Sequence, residues 1–221
     1  MSAAAAADKA GGGGDPHQLG HGDGHDADQA EGGIAPKRIV TGYGFWLFIV
    51  SDIIMFSAFF AAYAVLSRAT DGGPTARQLF TLDSVAIETA CLLLSTFTCG
   101  MAALAADARS LLWTQIALLV TGLLGFAFLM LELSEFAELI AKGAGPQRSA
   151  FLSAFFALVG CHGLHVGAAM LWCGTMMAQV WAKGFREDIQ RRLLCFTLFW
   201  HALDIVWVGV FTIVYLLGAR G

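Results

Sequence analysis

Five apolar segments, each long enough to cross a membrane, determine most of what this sequence can fold into. They cover residues 43–66, 84–106, 111–140, 150–181 and 191–217. A helix of about 20 apolar residues spans the hydrocarbon core of a bilayer, whereas the strands of an outer-membrane barrel are shorter. The breaks between segments contain turn residues or charges, as in DGGP at 71–74 and KGFRED at 183–188. The sequence therefore predicts an all-α integral membrane protein, a bundle of five transmembrane helices.

The composition divides the chain into two regions. The whole chain is 57% hydrophobic and 14% charged, whereas a soluble domain is about 25% charged. Residues 1–36 are rich in His, Asp and Gly, so we predict a disordered or flexible N-terminal tail. The histidines of this tail are either solvated or bind a metal. Residues 37–221 are predicted to form the five-helix transmembrane domain.

Charge and cysteine usage exclude several functions and indicate an orientation. The sequence has no basic block of the kind that binds nucleic acid. Its five cysteines lie in apolar segments without a CxxC motif, which predicts small buried side chains and no disulfide framework. With the N-terminus inside, the inner segments hold eight lysines and arginines and the outer segments five. The positive-inside rule therefore predicts an inner N-terminus and an outer C-terminus.

The fourth segment carries two different faces. Its central stretch, Phe151–Trp172, contains no Asp, Glu, Lys or Arg. Glycines fall within a narrow arc at about 100° per residue and include a GxxxG pair, which predicts close packing against another helix. These glycines are Gly160, Gly163, Gly167 and Gly174. On roughly the opposite side lie His162 and His165, which need polar partners at this depth.

Ionisable residues of two other segments are predicted to lie at the same depth. Asp52 is near the middle of the first segment, among phenylalanines, and His201 and Asp204 are near the middle of the fifth. At i and i+3, His201 and Asp204 are close enough for a hydrogen bond between imidazole and carboxylate. Burial disfavours a charged carboxylate, so Asp52 is either a reactive, proton-exchanging group or a protonated acid that bonds a neighbouring helix.

Glutamates gather near the outer ends of the second and third segments. Glu88 begins the second, and Glu132, Glu135 and Glu138 form a stripe on the third. Glu138 is placed to pair with Lys142 at i+4. Glu132 and Glu135 are deeper, which predicts burial against a helix or a lipid headgroup.

Three hypotheses explain the polar residues near the midplane. Histidines of different helices, such as His165 and His201, could ligate a haem iron. The residues could line a proton or substrate path of a transporter. They could also tie helices together and contact lipids or a partner subunit. Composition and spacing favour the third hypothesis without identifying the assembly.

Four stretches resemble a known family. GPQRSAFLSAFFALVGCHGLHVGAAMLW at 145–172 is the most specific. The others are FWHALDIVWVGVFTIVYLLG at 199–218, LMLELSEF at 129–136 and GFWLFIVSDIIMFSAFFAAY at 44–63. In this order they resemble subunit III of the haem-copper terminal oxidases, most of all the branch of cytochrome bo-type ubiquinol oxidases. A cytochrome c oxidase subunit III is the alternative within the family, and an independent transporter or haem carrier is the alternative outside it.

The resemblance implies an accessory subunit with no catalytic residue, metal or cofactor of its own. Haems, copper and quinol would belong to partner subunits, with subunit I as the main partner and subunits II and IV in the same complex. The subunit would support assembly, bind phospholipid in a cleft and sustain proton uptake by subunit I. The complex would reduce oxygen to water and pump protons across the bacterial inner membrane, with a cytoplasmic N-terminus and a periplasmic C-terminus. In the cytochrome c oxidases of this family, the position that matches Asp52 is usually a glutamate that reacts with carbodiimides, whereas this chain has the shorter aspartate.

Overall fold

The apolar segments form five long helices. The computed structural model describes residues 37–73 and 82–220, so the predicted N-terminal tail, 1–36, lies outside the described residues. The helices are α1 (Lys37–Leu66), α2 (Leu82–Asp107), α3 (Leu111–Ala141), α4 (Ala150–Lys183) and α5 (Glu187–Val210). The last continues as a π-helical segment, Phe211–Leu216, and an α-helical turn, α6 (Leu217–Arg220). Five helices are long and apolar enough to span a membrane and the described residues contain no β-strand, which confirms the predicted fold class.

Helices α1 and α5 begin well before their apolar segments, at charged residues. Helix α1 starts at Lys37 rather than at residue 43, and α5 starts at Glu187 rather than at residue 191. The carboxylates of Glu187 and Asp188 lie in the first turn of α5, where they interact favourably with the positive end of the helix dipole. Such residues lower the hydropathy of a segment without interrupting the helix.

Short turns join α2 to α3, α3 to α4 and α4 to α5. Helix α4 is capped by Ser149, whose Oγ accepts a hydrogen bond from the backbone N–H of Leu152 at 3.2 Å. It ends at Gly184, where φ is 66°, a backbone conformation that glycine adopts without a steric penalty. In the turn between α2 and α3, Arg109 takes φ 54°, which turns the chain within three residues.

Helices α2 to α5 form the tightly packed part of the bundle. Helix α2 packs along α3, α4 lies against α3 and α5, and α5 also contacts α2. Helix α1 reaches α4 and α5 mainly through aromatic side chains, such as Phe45 against Trp172 and Phe48 against Phe199. In its apolar stretch 11% of the residues are buried, against 56% in α5. The polar side chains therefore meet either inside the α2–α5 bundle or between α1 and α4.

Candidate polar sites within the bundle

Asp52 and His165 face each other across the contact between α1 and α4. Asp52 Oδ2 lies 3.8 Å from His165 Nε2, and their side chains are 19% and 24% exposed. His165 Nδ1 lies 2.7 Å from the backbone carbonyl oxygen of Cys161. A carbonyl oxygen only accepts hydrogen bonds, so Nδ1 carries the donated proton and Nε2 is the atom available to Asp52. At 3.8 Å the two groups are in electrostatic contact, not hydrogen-bonded, and this contact joins α1 to α4.

His162 lies in a different environment, although it is only three residues away. Its side chain is fully buried, and its ring contacts those of Trp207, Phe128 and Phe56, with centroids 5.2, 5.8 and 6.3 Å away. Neither ring nitrogen has a hydrogen-bond partner among the described residues. The two histidines therefore do not form one polar face: His165 is directed at α1, and His162 at the core between α3 and α5.

Three glutamates meet in the bundle. Glu88 and Glu132 are 1% and 2% exposed, and Glu135 is half-buried. The three carboxyl groups are close enough for their charges to interact. Glu135 Oε2 accepts a hydrogen bond from the Tyr215 hydroxyl at 3.2 Å, whereas one oxygen each of Glu88 and Glu132 is buried without a partner among the described residues. Buried carboxylates cost several kcal/mol each in desolvation, so protons shared between these carboxyls would lower the cost.

The glycine arc of α4 faces α3 at three of its four positions. A Cβ placed on Gly163 would lie 2.7 Å from Glu132 Oε1, and one on Gly160 would lie 3.6 Å from the Phe136 ring. A Cβ on Gly167 would lie 4.0 Å from Leu129, and one on Gly174 would meet nothing within 4 Å. The closest approach is thus at Gly163, whose missing side chain makes room for a buried carboxyl group. At Gly174 the packing partner predicted from sequence is missing within the described part of this chain.

The predicted hydrogen bond between His201 and Asp204 is missing. No hydrogen bond joins these two side chains within residues 37–73 and 82–220; Asp204 is buried with Oδ1 unpartnered, and His201 is half-buried. The acidic side chain that His165 contacts is Asp52 on α1, not Asp204 on α5. The i, i+3 spacing brought the two residues to one face but did not fix their rotamers.

Two tryptophans of α5 form contacts that the sequence analysis missed. Trp200 Nε1 donates to Ser95 Oγ at 3.0 Å, and Trp207 Nε1 donates to Thr89 Oγ1 at 3.1 Å. Both hydroxyls belong to α2. A Cβ on Gly125 of α3 would lie 2.8 Å from the Trp200 ring, so this glycine provides space for the indole. The sequence pattern that could have predicted these bonds is a pair of tryptophans at i and i+7 on one helix and a pair of hydroxyl residues at i and i+6 on another.

The geometry does not fit axial haem ligation by His165 and His201. Both nitrogens of His165 already face protein atoms, Nδ1 the Cys161 carbonyl and Nε2 the Asp52 carboxyl. Within the described part of the chain, no three His, Cys, Asp or Glu side chains are grouped so that they could hold a metal ion.

The ion pair predicted at the end of the third helix is confirmed, because Lys142 Nζ lies 2.6 Å from Glu138 Oε1.

Known proteins resemble this chain along nearly its whole length. The sequence model of the family described as cytochrome c oxidase subunit III matches residues 36–219. The chain is 48% identical to cytochrome bo(3) ubiquinol oxidase subunit 3 of Pseudomonas aeruginosa over 209 residues, which cover 93% of this chain and 94% of the relative. It is 50% identical to the Pseudomonas putida protein of the same name over 183 residues, 81% and 86% of the two chains. It is 39% identical to quinol oxidase subunit 3 of Bacillus subtilis over 178 residues, 80% and 87% of the two chains. The chain belongs to the cytochrome c oxidase subunit III family.

Proposed function

We propose that this chain is the accessory subunit III of a respiratory ubiquinol oxidase. In that complex, partner subunits carry the haems, the copper and the quinol, reduce oxygen to water and pump protons. The observation that carries the proposal is the similarity to two Pseudomonas subunits named for cytochrome bo(3) ubiquinol oxidase, at 48% and 50% identity. The geometry agrees with a supporting role, since Asp52 pairs with His165 and Glu135 with Tyr215 inside the subunit.

The proposed contribution of the chain is to support assembly, lipid binding and sustained proton uptake by subunit I. Subunit I is the main partner, with subunits II and IV in the same complex. Helix α1 is the element best suited to contact a partner or a lipid-filled cleft, because its large apolar side chains, including Trp46, Leu47 and Ile54, are exposed. Asp52 lies on the same helix, α1, and its side chain contacts His165 of α4.

The proposed location is the bacterial inner membrane, with a cytoplasmic N-terminus and a periplasmic C-terminus. Basic residues support this orientation, because Arg109, Lys183, Arg186, Arg191 and Arg192 lie at one end of the helices. Two exposed lysines at opposite ends allow a direct test. Lys142→Cys should react with a membrane-impermeant maleimide in spheroplasts, and Lys183→Cys should react only after lysis. The reverse pattern would contradict the orientation.

Affinity purification in mild detergent tests the assignment itself. A tag on the N-terminal tail should recover haem-bearing partners that oxidise ubiquinol, and removal of the chain should shorten the time over which the complex remains active. Recovery of the chain alone, without haem-bearing partners, would overturn the proposal. A Soret band of the isolated chain, or solute uptake by it in liposomes, would favour the haem carrier or transporter.

A cytochrome c oxidase is the second candidate. A relative named cytochrome c oxidase subunit 3, from Bacillus sp. PS3, is 39% identical over 178 residues. The purified complex distinguishes the two candidates, since oxidation of reduced cytochrome c rather than ubiquinol would select the second.

A further inference from the structure

Two polar side chains of α5 lie at mid-depth in the bundle without the hydrogen bonds that this depth requires. His201 and Asp204 are near the middle of the 30-residue span Glu187–Leu216. Oδ1 of Asp204 is buried without a hydrogen-bond partner among the described residues, and the ring of His201 makes no hydrogen bond within them either. In the hydrocarbon core neither water nor a lipid headgroup is available as a substitute. The missing partner therefore has to come from another protein.

His201 belongs to a stripe of α5 that faces away from the bundle. The other members of this stripe are Leu194, Ile205 and Val208, all of them exposed. His201 is half-buried, whereas Ile205, one turn further, is 72% exposed. Asp204 lies on the side of the stripe toward α2, because the Thr96 hydroxyl of α2 is beside its carboxyl group. The two polar side chains thus border the outer surface between α2 and α5.

Small residues of α2 form the other side of a groove along this stripe. They are Thr96, Gly100 and Ala103, at i, i+4 and i+7. A Cβ on Gly100 would meet nothing within 4 Å, so no described side chain fills the space beside this glycine. Ala103 and Leu194 both line a cavity of about 420 Å³ where α2 ends and α5 begins. This α2–α5 groove therefore extends from mid-depth to the cavity, and its small residues allow the backbone of another helix to approach closely.

The polar groups determine what kind of occupant fits the α2–α5 groove. An acyl chain covers apolar surface but has no hydrogen-bonding atom, so it would leave Asp204 and His201 unpaired at an energetic cost. A transmembrane helix satisfies its own backbone internally and offers side chains to a neighbouring helix. Hydroxyl and amide side chains both donate and accept hydrogen bonds, as a neutral imidazole does. One such side chain at mid-depth matches the carboxyl group and the imidazole together.

We propose that the α2–α5 groove binds a transmembrane helix of another subunit, which carries a hydroxyl or amide side chain at the depth of Asp204 and His201. The inference rests on the proposed function, because a multi-subunit oxidase supplies the other subunit. It goes further by assigning the surface, the depth and the chemistry of one contact, on a surface separate from that of α1. Lipid and a second copy of this chain are the competing occupants.

Photocrosslinking in the native complex identifies the occupant of the groove. A diazirine amino acid close in size to isoleucine is placed at position 205, and adducts are mapped by mass spectrometry after purification. The expected adduct is with a transmembrane segment of another subunit, within one helical turn of a hydroxyl or amide residue. Adducts with lipid alone, with a second copy of this chain or with a helix that lacks such a residue would each overturn the inference. Any of these adducts in a haem-bearing complex would leave the proposed function intact, whereas recovery of the chain without partners would refute the proposed function itself.

Substitution of His201 tests whether the contact is polar. Leucine is close to histidine in size and is more favourable in lipid, so His201→Leu would leave a lipid-facing position unharmed. If a partner bonds the imidazole, the rate at which the subunit dissociates from the purified complex should rise about 3- to 18-fold, the range of interhelical hydrogen bonds in membranes. His201→Gln keeps a donor and an acceptor and should dissociate like the unaltered subunit.

The matched control is Ile205→Leu, which changes the shape of the same stripe without removing a polar group. It should dissociate at the unaltered rate. A His201→Leu subunit that dissociates no faster than the unaltered one would overturn the inference. So would equal acceleration by His201→Leu, His201→Gln and Ile205→Leu, because the loss would then follow shape and not hydrogen bonding. If His201→Leu does not assemble, the adducts at position 205 of the complex with histidine retained still decide between the occupants.

Discussion

The contact between Gly163 and Glu132 gives the sharpest test of how α3 and α4 pack. Alanine at Gly163 would place its Cβ 2.7 Å from Glu132 Oε1 and 3.1 Å from Cδ and Oε2. A Cβ does not approach an oxygen within 3.0 Å in a relaxed structure, so one group must move. Glu132 is 2% exposed and cannot move into solvent. We therefore expect Gly163→Ala to displace the buried carboxyl group or to separate the two helices.

The expected magnitude is the balance of two opposing effects. Glycine to alanine in a helix interior favours folding by about 0.5–1 kcal/mol, whereas overpacking a core costs about 1–3 kcal/mol. Gly174→Ala on the same helix gains the first effect without the second, since nothing lies within 4 Å of its Cβ. Gly163→Ala should therefore be less stable than this control by about 1–3 kcal/mol. At roughly 2–4 °C per kcal/mol for a chain of this size, the two variants should differ by about 2–12 °C.

The assay measures the temperature at which half of the subunit is lost from the purified complex. The loss is determined by gel filtration of samples heated to different temperatures. A double-mutant cycle with Glu132→Ala should give a coupling energy of about 0.5–3 kcal/mol, because the shorter side chain leaves room for the new methyl group. Glu132→Gln keeps every side-chain atom position and should not rescue. If Gly163→Ala is as stable as Gly174→Ala and the coupling is near zero, Glu132 does not lie over this glycine.

Three further variants test the other contacts. Trp207→Phe keeps the aromatic packing but removes the donor to Thr89, so the same melting assay should show a loss of about 1–3 kcal/mol; an unchanged midpoint would refute the bond. Asp52→Asn should leave the yield of assembled complex largely intact, because the amide can donate to Nε2 of His165, and loss of the complex would contradict this arrangement. Glu138→Gln should change stability by less than about 1 kcal/mol, since its pair with the lysine at i+4 is exposed; a larger loss on melting would show that the pair is buried in the assembly.

The helices could be predicted because each one is determined by the residues of its own segment. About 20 apolar residues suffice to define a transmembrane helix, and the turn residues between segments fixed the breaks. The early starts at Lys37 and Glu187 were missed because charged end residues lower hydropathy while they continue a helix. The π-helical segment Phe211–Leu216 contains no proline or glycine that would have indicated it.

The candidate sites were predictable in membership but not in pairing. The sequence placed Asp52, His165 and Asp204 near one depth, because depth follows from the count of residues along each helix. Which of them meet depends on the rotation of each helix about its axis and on which helices are neighbours. Neither property can be determined from the sequence of a single helix. Asp52 therefore met His165, whereas Asp204 remained without the expected bond to His201.

Polar contacts between α2 and α5 provide what the apolar surfaces cannot, a defined register. In lipid, apolar side chains gain little from leaving one hydrocarbon environment for another, so burial alone does not oppose sliding of one helix along another. Trp200 is bonded to Ser95, and Trp207 to Thr89, at two levels of antiparallel helices. A slide by one helical turn, about 5.4 Å, would break both bonds and leave two buried indole donors unpaired, at a cost of about 1–3 kcal/mol each. A third hydrogen bond joins Tyr215, which follows α5, to Glu135 on α3. A slide of α5 along a fixed α3 would break this bond, so it couples the register of α5 to that of α3. The buried polar residues thereby define the relative positions of three helices, and a fixed arrangement of these helices is what the proposed accessory role requires.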